Sequence, residues 1–89
     1  MKAIVSVIGK DTVGIIAYVC ACLAEHGVNV LDISQTVMKE YFTMIMMVDT
    51  ADCTVDFATL SDTLKTKGEE RGLEIRIQRE DIFEAMHRI

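Results

Sequence analysis

The feature that most constrains this chain is the order in which the spacing of its apolar residues changes. Alternation with a period of two is typical of strands, and recurrence every three to four residues is typical of helices. The resulting segments are a strand over 2–8, a helix over 12–26, strands over 29–38 and 41–49, a helix over about 55–71 and a strand over 73–79. The pattern therefore predicts the element order βαββαβ.

Glycines and capping residues mark the predicted ends of these elements. Gly9 ends the first strand, Gly27 follows the first helix as a left-handed residue, and Gly72 stops the second helix. Thr54 is predicted to cap the second helix, with Asp56 in its first turn, where a negative charge suits the helix dipole.

This element order predicts an α+β fold, a ferredoxin-like sandwich in which two helices cover one face of an antiparallel sheet with strand order 4-1-3-2. The side chains agree with that order. The third strand is apolar on both faces, as a central strand should be, and the fourth is polar on one face, as an edge strand can be. The second strand is predicted to alternate without interruption, with Asn29, Leu31, Ile33, Gln35 and Val37 on one face.

One domain is predicted over residues 1–80, followed by a helical tail over 81–89, because 89 residues are too few for two cores. Asp81 and Glu84 have the spacing of a capping box. The apolar tail residues that share one helical face are Ile82, Met86 and Ile89. The tail is thus a candidate to cover the sheet face that the two helices leave open.

Composition narrows the class of protein. The chain is 51% hydrophobic, and a monomer of this size buries only about 60–65% of its surface, so homodimerisation or a higher homo-oligomer is expected. A net charge of −5 argues against nucleic acid and anionic membrane as partners. Three cysteines, with no signal peptide or apolar span, favour the cytoplasm.

The segment between the first strand and the first helix, residues 9–15, allows two interpretations. Backbone N–H groups and the helix dipole favour an anion such as a carboxylate there, with Gly14 permitting its close approach. Alternatively, Asp11 or Thr12 only caps the helix, and Gly14 only permits packing. Spacing alone leaves both open.

The residues Gly-Lys-Asp-Thr-Val-Gly-Ile-Ile at 9–16, together with Gly-Val-Asn-Val at 27–30 and Asp-Ile-Ser-Gln at 32–35, resemble an ACT domain over essentially the whole chain. The resemblance is strongest to stand-alone, single-ACT bacterial proteins of uncharacterised function. Val13 stands where the family usually has proline, and Gly9 where amino-acid-binding members can place a polar side chain.

The resemblance implies a regulatory module that binds an amino acid or related metabolite at a subunit interface. Asp11 and Gly14 match the ligand-contacting loop, and Asn29 matches a polar residue that faces ligand across the interface. The candidate ligand-binding residues are Gly9, Lys10, Asp11, Thr12, Gly14, Ile15 and Asn29.

No catalytic constellation, metal motif or cofactor motif stands out, so the chain is not expected to be an enzyme. Neither histidine has a metal-ligand neighbour at the required spacing. Cys20 and Cys22 point to different sides of one helix, with Cys22 the more exposed, and Cys53 is the best candidate for a reactive thiol.

Two functions remain. One is a small-molecule-binding regulatory module that acts as a homo-oligomer on an unknown protein target. The other is a purely structural dimerisation domain with no ligand.

Overall fold

The computed structural model describes residues 1–10 and 12–82. It contains β1 (Lys2–Lys10), α1 (Ile15–Glu25), β2 (Asn29–Met38), β3 (Tyr41–Asp49), α2 (Phe57–Glu70) and β4 (Leu73–Arg79). The four antiparallel strands form one sheet in the order β2-β3-β1-β4, as predicted. A third, short helix begins directly after β4 and includes residues 80–82. The predicted tail residues 83–89 lie outside the described residues.

The core lies between the two helices and one face of the sheet. Alternate residues of the central strands form one side of this core, and the buried residues of both helices form the other side. Its fully buried side chains include Leu23, Leu60, Leu64, Met44 and Met46. The central position of β1 and β3 therefore follows from their apolar residues, as the patterning predicted.

Both helices begin later than predicted. Gly14, in a left-handed conformation with φ 87°, precedes α1, so residues 12–14 belong to the loop. The cap of α2 is Asp56, whose side chain accepts a hydrogen bond from the Thr59 N–H at 2.8 Å. The prediction that Thr54 caps α2 is wrong, because the Thr54 N–H and hydroxyl are engaged with the His26 carbonyl.

The prediction of uninterrupted alternation along β2 is also wrong. Val30 lies opposite Val48 and Asp32 lies opposite Met47, so Leu31 is an extra residue that forms a bulge. As a result Val30 shares the helix-facing side of the sheet with Ile33, while Asn29 lies on the side of Asp32. Residues N-terminal to the bulge therefore sit on the opposite face from the one predicted.

Helix α1 covers β2 incompletely. Ile33 and Val37, on the helix-facing side of that strand, are 39% and 52% exposed, whereas the residues opposite them on β3, Met46 and Phe42, are buried. The edge of the helix layer thus leaves a partly apolar strip of sheet open beside the N-terminus of α1.

Candidate functional site

A cleft of about 270 Å³ lies between the start of α1 and the helix-facing side of β2. It is lined by Thr12, Gly14, Ile15, Ile16, Ala17, Gln35, Val37 and Phe42. Small-molecule pockets typically enclose about 300–1,000 Å³, so this cleft suits a ligand of metabolite size. Its lining is mainly apolar, with a few polar groups that could orient such a ligand.

The N-terminal end of α1 supplies backbone donors to the cleft. The helix ladder begins with the hydrogen bond from the Tyr18 N–H to the Gly14 carbonyl, at 2.9 Å. The N–H groups of Ile15, Ile16 and Ala17 therefore precede the ladder, and the N-cap Gly14 has no side chain that could accept from them. The first turn carries no acidic residue either. A carboxylate is the kind of group that such an end stabilises.

Gln35 is the polar cleft residue that the sequence analysis did not select. It lies opposite Met44 on the helix-facing side of β2, between the apolar side chains of Ile33 and Val37. Its amide can donate and accept hydrogen bonds. A glutamine between apolar residues on one face of a predicted strand was a signal in the sequence, but only the incomplete cover of β2 by α1 shows that the position is open.

The structure assigns the predicted loop residues to two different places. Thr12, Gly14 and Ile15 line the cleft, whereas Gly9 and Lys10 lie within β1, opposite Phe42 and Tyr41. A Cβ atom on Gly9 would lie 2.6 Å from the side chain of Leu73, so its small size is explained by packing. Asp11 lies outside the described residues.

Asn29 is not brought to the cleft by its own chain. It is the first residue of β2 and lies opposite Asp49, six residues before Gln35. At about 3.3 Å per residue this separation is roughly 20 Å. Asn29 and the loop therefore occupy opposite ends of β2, and a single chain cannot place both against one small ligand.

A polar cluster beside the cleft joins the loop to α2. The guanidinium of Arg71, the C-cap of α2, lies 4.7 Å from the centre of the Tyr18 ring, and its Nη2 donates to the Val13 carbonyl at 3.3 Å. The Tyr18 hydroxyl donates to the Lys67 carbonyl at 2.9 Å and lies 3.3 Å from Glu70 Oε2. Desolvation, followed by the nearby Cys22 and Glu70, raises the pKa of Tyr18, so the hydroxyl remains a donor.

The thiols do not form a site among the described residues. Cys22 is buried while Cys20 and Cys53 are half-buried, so the prediction that Cys22 is the more exposed of the helical pair is wrong. Desolvation raises the pKa of Cys22, which favours the unreactive thiol. Across residues 1–10 and 12–82, no three His, Cys, Asp or Glu side chains are grouped as metal ligands. Within the same residues, no helix has the length and apolarity needed to cross a membrane.

The structure is thus a ferredoxin-like domain with a cleft of about 270 Å³ at the start of its first helix. Residues 2–78 match the family model of the ACT domain. The chain is 54% identical over 88 residues to a UPF0237 protein of Bifidobacterium longum, covering 99% of this chain and 98% of that protein. It therefore belongs to the ACT domain family, whose members are regulatory, ligand-binding modules rather than catalysts.

Two solved structures have the same fold as this chain. An ACT domain protein from Streptococcus pneumoniae superposes with a TM-score of 0.83 at 48% identity, covering 97% of each chain. The ligand-free regulatory subunit of aspartate kinase from Thermus thermophilus superposes with a TM-score of 0.68 at 31% identity, covering 89% of this chain and 51% of that one. The second similarity connects the fold to a subunit described as regulatory.

Proposed function

We propose that this chain is a regulatory module that binds an amino acid or a related carboxylate metabolite and acts, as a homo-oligomer, on a separate protein. The observation that carries the proposal is that, among the described residues, no side chain caps the N-terminus of α1, which opens onto a cleft of metabolite size. The ligand carboxylate would accept from the first-turn N–H groups, and Gln35 would contact its polar remainder. Asp11 would pair with an ammonium group.

Strand β2 supports the oligomeric part of the proposal. It is an edge strand of ten residues, and its exposed apolar side chains include Leu31, Ile33 and Val37. An antiparallel pair of β2 strands about a two-fold axis at Ile33 would place Asn29 of the partner subunit beside Thr36, near the cleft end, because the bulge at Leu31 shifts the register by one residue. The cleft would then border the interface between two subunits, with Asn29 of the partner subunit at the cleft end of β2 but on the sheet face turned away from the helices.

A thermal-shift screen of the twenty protein amino acids and their 2-oxo acids tests the ligand. A compound present at 100 times its dissociation constant should stabilise the protein by about 2.7 kcal/mol. For a domain of this size that corresponds to a rise in Tm of roughly 10 °C. Gln35→Ala, Asn29→Ala and Asp11→Ala should each reduce the shift, whereas Thr66→Ala, at an exposed position of α2 that does not line the cleft, should not.

Mixing two variants tests whether one site uses both subunits. In a two-fold dimer, co-refolded Gln35→Ala and Asn29→Ala chains should regain binding at about a quarter of the sites, because heterodimers contain one unmodified site. If no compound shifts the unmodified protein, the chain is a structural dimerisation domain instead. If the mixture regains nothing, the site does not span the interface.

A further inference from the structure

We propose that Arg71 is a positioning residue that holds the loop of residues 12–14 in place from the C-terminal end of α2. The inference concerns the same cleft and rests on the proposed function only for its effect on ligand affinity. It is carried by the contact of one guanidinium with the Val13 carbonyl, at 3.3 Å, and with the face of the Tyr18 ring, at 4.7 Å from its centre.

The loop gains little packing from its own side chains. The side chain of Val13 is 97% exposed, and Gly14 has none. A Cβ atom built on Gly14 would find the Arg71 Nη2 atom as its neighbour at 3.9 Å, so the guanidinium lies directly against this turn. A backbone segment without packed side chains is held in place by its hydrogen bonds, and Arg71 supplies one from a distant part of the chain.

Arg71 is itself held from two sides. Its backbone N–H donates to the Gly68 carbonyl at 3.0 Å, which anchors it to the last turn of α2. The Tyr18 ring beneath its guanidinium is fixed by the hydroxyl bond to the Lys67 carbonyl, at 2.9 Å. A planar guanidinium can stack on a ring and donate at its edge at the same time, which a lysine ammonium cannot do.

The position of the Val13 carbonyl matters for the cleft. This carbonyl belongs to the peptide group that leads into Gly14, the residue from which the first turn of α1 starts. Turning that peptide group would change the direction of the turn and of the N–H groups that face the cleft. A loop already ordered before binding also loses less conformational entropy when a ligand arrives.

Hydrogen exchange on the ligand-free full-length chain, resolved by NMR at single amides, tests the inference. Arg71→Met keeps the length of the side chain but removes its charge and donors. We expect amides of residues 18–20, the first to be hydrogen-bonded in α1, to exchange about three- to tenfold faster in this variant, while those in the middle of β1 and β3 keep their rates. Arg71→Lys should restore part of the protection, because an ammonium can still reach a carbonyl.

Arg76→Met is the matched control, since Arg76 is an exposed arginine on β4 that pairs with Glu74. Tyr18→Phe keeps the ring but loses the hydroxyl bond that fixes it, so it should retain part of the protection, whereas Tyr18→Leu should lose it. Unchanged exchange at residues 18–20 in Arg71→Met would overturn the inference, and so would an equal acceleration throughout β1 and β3.

Failure of the inference and failure of the proposed function give different results. The exchange measurement needs no ligand, so it can support Arg71 even when the metabolite screen finds nothing. Where the screen finds an amino acid, Arg71→Met should weaken its binding several-fold and Arg76→Met should not. Equal affinity of the two variants for that amino acid would contradict the positioning role.

Discussion

Leu31 is the residue whose local geometry most changes the interpretation of the site. As the extra residue of the β2 bulge it places Val30 and Ile33, three positions apart, on the same side of the sheet. Asn29 consequently lies on the face opposite Gln35. In a regular strand the two would share one face, because an even number of residues separates them. A period-two pattern cannot reveal such a bulge, because either register leaves β2 with mixed polar and apolar residues on both faces.

Gly27 offers a test at the same scale. It has φ 73°, and a Cβ atom there would overlap the Asp52 carbonyl oxygen. Gly27→Ala combines a left-handed conformation with a backbone clash, so we expect a loss of about 2–4 kcal/mol in the free energy of unfolding. Urea denaturation followed by circular dichroism measures it.

Gly72→Ala is the matched control for that variant. Gly72 has φ 69°, but a Cβ atom there would meet nothing within 4 Å, so only the conformational cost of about 1–2 kcal/mol applies. Equal losses in the two variants would show that the contact between Gly27 and the loop at Asp52 is not rigid.

The two helices differ in how they begin, and we interpret that difference as one between a capped structural end and the proposed binding end. Asp56 caps α2 with its own carboxylate, while the N-cap of α1, Gly14, has no side chain to accept from the first turn. The hydrogen bonds from the Thr59 hydroxyl and N–H lower the pKa of Asp56 below its ordinary value. Desolvation acts in the opposite direction and is the weaker influence.

The lowered pKa gives a prediction with a defined sign. The unfolded state binds more protons at pH values between the folded and unfolded pKa of Asp56, so the cap stabilises the protein above the unfolded pKa of about 3.9. That contribution is lost as the pH falls through the folded pKa. Asp56→Ala should therefore lower the Tm by roughly 3–8 °C at pH 7.

Asp56→Asn is the informative comparison, because asparagine also caps helices but does not titrate in this range. At pH 7 its Tm should be close to that of the unmodified protein. On acidification its Tm should fall by less than that of the unmodified protein. Thermal melts followed by circular dichroism at pH 7, 5, 4 and 3 provide the measurement. If the Tm of the two proteins falls equally with decreasing pH, carboxylates other than Asp56 determine the acid dependence of stability.

At the scale of the whole molecule, two exposed apolar surfaces compete as interfaces between copies of the chain. One is the edge strand β2, and the other is the sheet face turned away from the helices. Ile33 on β2 and Ile45 on the open face are 39% and 44% exposed, so they form a matched pair for substitution. We expect the β2 edge to be the interface, since this arrangement brings Asn29 of the partner subunit to the end of β2 that borders the cleft.

Light scattering at micromolar concentration distinguishes the two surfaces. Ile33→Lys places two like charges close to the proposed two-fold axis and should convert the dimer to a 9.9 kDa monomer. Ile45→Lys should leave the dimer intact. The reverse result would support packing through the open sheet face, and a monomeric unmodified protein would exclude both.

Features of this molecule that depend on neighbouring residues could be predicted from the sequence, whereas features that depend on contacts between distant elements could not. The element order and the central position of β3 were predictable, because apolar residues on both faces of a strand have to be covered from both sides. Thr12, Gly14 and Ile15 were predictable as residues beside an open helix start, and they line the cleft there. Gln35 and Arg71 were not, since their roles depend on segments far away in the chain.

The sequence by itself determined the βαββαβ order, the strand order and the family, since these follow from the period of apolar residues and from short contiguous motifs. Only the tertiary structure decided which part of β2 is left open, where the bulge reverses its faces, and that Gly9 belongs to the packing around Leu73. The physical reason is that periodicity records whether a residue is buried, whereas a cleft forms where two elements fail to cover each other. That failure depends on the lengths and positions of both elements together.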